Sequence, residues 1–95
     1  MKLKSIKRAD DGVHKYTAVF DNDGREKTVH FGAKGYTDYI LSKDPARRAN
    51  YLKRHRNKED WNRPDSAGSL SRWILWGDST SLAQNIASFR RRFDL

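Results

Sequence analysis

His14-Lys15-Tyr16-Thr17-Ala18-Val19-Phe20-Asp21-Asn22-Asp23-Gly24-Arg25-Glu26-Lys27-Thr28-Val29-His30-Phe31-Gly32 is the stretch that decides the fold. Its centre, Asp21-Asn22-Asp23-Gly24, is the strongest turn signal in the chain, because Asn, Asp and Gly tolerate the positive φ of tight hairpin turns. On the upstream arm His14, Tyr16, Ala18 and Phe20 are expected to share one face. Lys15 and Thr17 fall on the other, and Val19 breaks the alternation. On the downstream arm Lys27, Val29 and Phe31 alternate with Thr28 and His30. Two such arms around such a turn predict a β-hairpin.

Working outward, Lys2 to Arg8 carries Leu3 and Ile6 among lysines, and Asp10-Asp11-Gly12 supplies a second turn. Residues 1–32 therefore read as a three-stranded antiparallel β-meander. A sheet this small is marginal in water, so one face must be covered.

Gly32 and Gly35 close the meander, and Tyr36 to Ser42 spaces Tyr36, Tyr39 and Ile40 for one short helical turn. Asp44-Pro45 then opens a basic helix expected over residues 44–57, since Asp caps free N–H groups and Pro suits the first helical position. Trp61-Asn62-Arg63-Pro64-Asp65-Ser66 reads as a loop. Ser66 or Asp65 is expected to cap a helix with Leu70, Trp73 and Ile74 on one face and Gly77 as its stop. Ser79 or Thr80 is expected to cap a last helix, where Leu82, Ile86, Phe89 and Phe93 make an amphipathic stripe. Residues 66–94 thus read as a helical hairpin.

The expected architecture is a single α+β domain, residues 1–95: the meander packed against about three C-terminal α-helices, the last two over one sheet face. The expected core comprises Leu3, Tyr16, Ala18, Phe20, Val29, Phe31, Leu52, Leu70, Trp73, Ile74, Leu82, Ile86 and Phe89, with Trp76 over an edge.

Composition narrows the function. Twenty Lys+Arg face 12 Asp+Glu, a formal net charge of +8 on 95 residues. A field of that sign attracts polyanions without specifying a fold. Three Trp, four Tyr and four Phe argue against a disordered basic tail. Cysteine is absent, which removes thiol nucleophiles and Cys-based zinc sites and fits a reducing compartment. The N-terminal Met-Lys-Leu-Lys-Ser-Ile-Lys-Arg has no apolar core of a signal peptide, and no apolar run reaches membrane-spanning length. An intracellular protein without membrane association is expected.

The charge is concentrated. From Lys43 to Arg63 eight basic residues accompany three acidic ones, so net +5 of the +8 lies in 21 residues. The expected phosphate contacts are Lys43, Arg47, Arg48, Lys53, Arg54, Arg56, Lys58 and Arg63, with Arg90, Arg91 and Arg92 as a second, separate cluster. On a helix Arg47, Asn50 and Arg54 share one face, and Arg48, Tyr51 and His55 another. A solvated helix usually pairs such cations with acids at i,i+4, and the basic helix has no such acids. Cations at a helix C-terminus also favour its dipole, which is a purely structural reason for Arg90 to Arg92. His14, His30 and His55 have no metal-ligand spacing, although His14 and His30 fall in neighbouring strands. Asp21 and Asp23 are turn residues. No phosphate loop, nucleophile elbow or catalytic triad is present, so no enzyme activity, cofactor or metal is expected.

Lys27-Thr28-Val29-His30-Phe31-Gly32, the Asp44-Pro45 to Arg54-His55 segment and Leu70-Ser71-Arg72-Trp73-Ile74-Leu75-Trp76 together resemble a family of short basic proteins of giant DNA viruses that infect algae and amoebae. The family is uncharacterised, so no site residue carries over. The resemblance implies a setting in the host cytoplasm or nucleus, the viral factory or the virion. It implies either binding and packaging of a double-stranded DNA genome, or a minor virion component docking an acidic capsid or core protein. In the second case Trp61 and Trp76 are expected at the centre of an exposed patch.

Overall fold

The computed structural model describes all 95 residues. Three strands, β1 (Lys2–Arg8), β2 (His14–Asn22) and β3 (Arg25–Ala33), form one antiparallel sheet in the order β1-β2-β3. The β2–β3 loop is Asp23-Gly24, with φ of 55° and 87°. Positive φ at both loop positions matches the twist of the flanking strands. Asp21 locks the turn by accepting from the Gly24 amide at 2.9 Å. In the first turn, Asp11 accepts from the amides of Val13 and His14.

Leu3 and Ile6 are three apart, so a regular strand would send them to opposite faces. A bulge between Leu3 and Ser5 solves this. Leu3 pairs with Phe20 and Ile6 with Ala18, putting both on the covered face. Tyr16 stacks across the strands on Phe31 at 5.8 Å, while Val19 takes the open face between Ser5 and Thr28.

At the far end of the hairpin the expected facing is reversed. Lys15 lies on the covered side, where its Nζ is 2.6 Å from Oδ2 of the buried Asp38. His14 instead stacks on His30 at 5.5 Å, beside Thr17. The cause lies opposite on β3. Gly32 has φ of 77°, and a Cβ there would sit 2.8 Å from Leu75 Cδ1 and 3.1 Å from Lys15 Cβ. Regular β geometry breaks at this glycine, and Lys15 fills the space that a side chain would have taken.

The helices follow as α1 (Tyr39–Ser42), α2 (Pro45–His55), α3 (Ala67–Leu70) and α4 (Leu82–Phe93). The α3 chain continues directly into a π-helical turn, Ser71–Leu75, closed by the Trp76 amide donating to Ser71 carbonyl at 2.9 Å. Each α-helix starts on a side-chain cap: Asp38, Asp44, Ser66 and Ser81. The last corrects the expectation of Ser79 or Thr80. Ser79 holds the loop instead, its hydroxyl accepting from the Ser81 amide at 2.9 Å. The basic helix is also shorter than residues 44–57, ending at His55.

The core joins Leu3, Ala18, Phe20 and Phe31 of the sheet to Leu70, Ile74, Leu75, Trp76, Phe89 and Tyr51. Two expectations change places here. Trp76 is buried, and Trp73 is only partly so. The π turn is the reason. Its extra residue per turn rotates the chain after Ile74, sending Leu75 and Trp76 inward where α-helical phase sends Trp73. Gly77 ends the segment, but for close packing and not for positive φ. A Cβ there would lie 2.4 Å from the Trp73 carbonyl oxygen. Beside it the buried Asn85 of α4 donates to the carbonyls of Ile74 and Ser79 and accepts from the Ser79 amide, so all its polar atoms are met.

Candidate nucleic-acid interface

Helix α2 carries four of the expected contacts, Arg47, Arg48, Lys53 and Arg54, and its start is well determined. Asp44 accepts from the amides of Ala46 and Arg47 at 2.9 and 3.4 Å, and Pro45 follows at the first helical position. Its inner stripe is Arg48, Tyr51 and Leu52. The Tyr51 ring is sandwiched between His55 on its own helix and Trp76, each at 4.3 Å. Burial, followed by the Glu59 charge, pushes the Tyr51 hydroxyl pKa up.

The expected cations divide into three groups. Arg48 and Arg90 hold the fold. Arg48 Nε donates to the carbonyls of Trp76 and Gly77, and its Nη2 reaches Asp78 at 2.8 Å. Arg90 Nη1 donates to the Leu3 carbonyl at 2.6 Å, pinning α4 to β1. Arg47, Arg63, Arg91 and Arg92 are exposed but each has a side-chain partner. Arg47 lies 3.7 Å from Asp44, Arg63 pairs with Asp65, Arg91 donates to Ser88, and Arg92 sits 3.7 Å above the Trp73 ring. Lys43, Lys53, Arg54, Arg56 and Lys58 form the third group. They are exposed, and none belongs to the ion pairs of this region, which are Arg47–Asp44, Arg48–Asp78, His55–Glu59 and Arg63–Asp65. Their charge is directed at solvent with no internal compensation.

The two clusters expected on separate surfaces approach each other through Arg72. That guanidinium lies 4.1 Å from the Trp73 ring, on which Arg92 also rests. Burial lowers the Arg72 pKa, and the Arg48 and Arg92 charges lower it further against the pull of Asp78. Asp78, the partner of Arg48, lines one cleft with Arg91 and Arg92. Between Arg48 of α2 and the Arg91–Arg92 pair of α4 thus lies one exposed carboxylate, Asp78.

A groove of about 570 Å³ runs along α2, facing the Gly32–Asp38 segment. Arg47, Asn50 and Arg54 line one wall, as their shared helical face predicts, and Tyr36 and Thr37 line the other. The Tyr51–Trp76 stack and Leu75 lie beneath. Tyr36 is 74% exposed. The spacing of Tyr36, Tyr39 and Ile40 predicts Tyr36 on a helical face. It lies instead ahead of α1, where Gly35 at φ 90° turns the chain outward. The other exposed apolar side chains include Leu41 and Val13, whereas Trp61 is partly covered. Trp61 donates to Glu59, lies under Arg72 at 5.2 Å, and its carbonyl accepts from Trp73 and Ser69. Neither Trp61 nor Trp76 centres an exposed patch.

The stacked His14 and His30 have Asp11 and Thr17 as hydrogen-bonding neighbours, and no group of three potential metal ligands exists. No helix is long and apolar enough to cross a membrane.

Residues 4–55, from β1 to the last residue of α2, match the model of a family of unknown function, DUF5754. The chain belongs to this family. The DUF5754 match takes in the sheet, the groove wall at Tyr36 and the basic helix, and it stops before the π turn and α4. No curated protein and no solved structure matches the chain.

Proposed function

We propose that this DUF5754 protein binds nucleic acid, double-stranded DNA in particular, by its phosphates and without reading sequence. The observation that carries the reading is the row of uncompensated cations Lys43, Lys53, Arg54, Arg56 and Lys58 on and beside one helix, with Arg47 next to them. Ion pairs inside a protein consume positive charge, and none of this chain's pairs takes in these five. Exposed Lys and Arg displace counterions from phosphates, which supplies affinity for any sequence. Arg91 and Arg92 extend the contact, Arg63 flanks it, and Arg48 and Arg90 contribute field while holding the scaffold. The role is binding, with no catalysis. Genome compaction or packaging in a DNA-virus particle is the use that the resemblance to giant-virus proteins suggests.

The test is titration of the protein into labelled duplex DNA of random sequence, at low salt and near physiological salt. Binding at micromolar strength or tighter that weakens steeply with salt is expected. No binding at low salt overturns the reading.

A second reading has its own observation. Tyr36 and Leu41 are exposed beside Lys34 and Arg8, an apolar and basic patch suited to an acidic protein such as a virion component. Leu41→Ser, which adds no charge, would weaken that docking and leave DNA affinity unchanged.

A further inference from the structure

We propose that the groove along α2 holds one unpaired nucleotide, its base against Tyr36 and its phosphate between Arg47 and Arg54. The inference rests on the nucleic-acid reading and names the part of the polymer this site takes.

Three features converge on the groove. First, polar groups lining the groove stand without a protein partner: the Asn50 carboxamide and the Arg54 guanidinium on the wall and the Tyr51 hydroxyl beneath, with Arg47 held only loosely at 3.7 Å from Asp44. Second, the two acids of the groove are already engaged. Asp38 is paired with Lys15 and caps α1, and Glu59 meets His55 and Trp61. What remains free is cationic, amide or hydroxyl, suited to a phosphate and to a base edge. Third, the Tyr36 ring stands at the opposite lip with no element over it.

Bases in a duplex stack on one another and show no free face, so a lone ring beside a groove offers nothing to intact double helix. An unpaired base has such a face, and aromatic stacking accepts any base. The groove volume falls within the range of small-ligand sites. Arg47 and Arg54 lie seven residues apart, about two helical turns, and so bracket the groove from either end of the helix face.

The experiment compares three labelled DNAs by anisotropy at one salt concentration: a blunt duplex, the same duplex with a three-nucleotide single-stranded tail, and one whose tail is abasic. The intact tail should tighten binding about tenfold over the abasic tail, since both carry the same phosphates and only one can stack. Tyr36→Ala, at an exposed position, should remove that difference and leave blunt-duplex affinity as it was. Equal binding of intact and abasic tails overturns this inference while phosphate binding stands. A preference that survives Tyr36→Ala also overturns it. No binding of any of the three overturns the nucleic-acid reading itself.

Discussion

The rings of Tyr51 and Trp76 lie face to face, 4.3 Å apart and 4° from parallel. This contact fastens the basic helix α2 to the end of the π turn. It makes the position of the charged surface depend on a buried aromatic pair. Tyr51→Ala should cost about 3 kcal/mol, the range for removing a large buried ring. A lowered urea midpoint with unchanged slope is the expected result. A change below about 0.5 kcal/mol would mean that α2 is held by other contacts.

Two arginines six residues apart should separate scaffold from surface. Arg48→Gln leaves the Gly77 carbonyl without its donor and the Trp76 carbonyl with Arg72 alone, and should cost about 1–2 kcal/mol. Arg54→Gln removes no internal partner and should change stability by less than about 0.5 kcal/mol while weakening DNA binding. Thermal melts beside DNA titrations would distinguish the two. Equal stability losses would contradict the division of roles.

The salt dependence of DNA binding should report the free cations. With Lys43, Arg47, Lys53, Arg54, Arg56 and Lys58 meeting phosphates, the slope of log K against log salt should be about −5 on duplex DNA. Lys53→Gln with Arg56→Gln should bring it closer to zero by about two. An unchanged slope would place the DNA elsewhere on the surface.

Acid should destabilise the protein through Asp65. Burial opposes ionisation of this carboxyl, but hydrogen bonds and charge from Lys27 and Arg63 outweigh it and hold the pKa below the ordinary value. A carboxyl with a depressed folded pKa adds stability that is complete above its unfolded pKa of about 4 and is lost as pH falls through the folded one. Asp65→Asn should therefore lower stability at pH 7 and flatten its decline below pH 4. Parallel acid profiles for the two proteins would remove Asp65 from the account.

Gly77→Ala should cost about 1–3 kcal/mol, because the new Cβ must push against the Trp73 carbonyl 2.4 Å away and the Asn85 carboxamide. Gly24→Ala meets no atom but must adopt φ of 87°, so its cost should reflect backbone strain alone. Calorimetry of both variants would test whether space or φ governs each glycine.

The hairpin and the start of the basic helix were legible because their causes are local. Asp23-Gly24 can take two positive φ angles in succession, and Asp44-Pro45 carries its own cap and its own φ restriction. The facing of Ala18, Phe20, Val29 and Phe31 followed from the two-residue period of a strand. Arg47, Asn50 and Arg54 came to one wall of the groove for the same kind of reason, a helical period read off the chain.

The remainder depended on contacts between distant segments. A π turn has no local sequence signature, so the exchange of Trp73 for Trp76 in the core became visible only when Tyr51 was placed against it. Lys15 pointed inward because Asp38, 23 residues away, was there to receive it. Among arginines of the same type, tertiary structure alone decided that Arg48 and Arg90 would donate to carbonyls at separations of 28, 29 and 87 residues. Sequence by itself determined the amount of positive charge and its concentration between Lys43 and Arg63, since both are sums over neighbours in the chain. Which of those charges were left free was settled by tertiary structure, because a cation is removed from the surface only by an acceptor that folding brings to it.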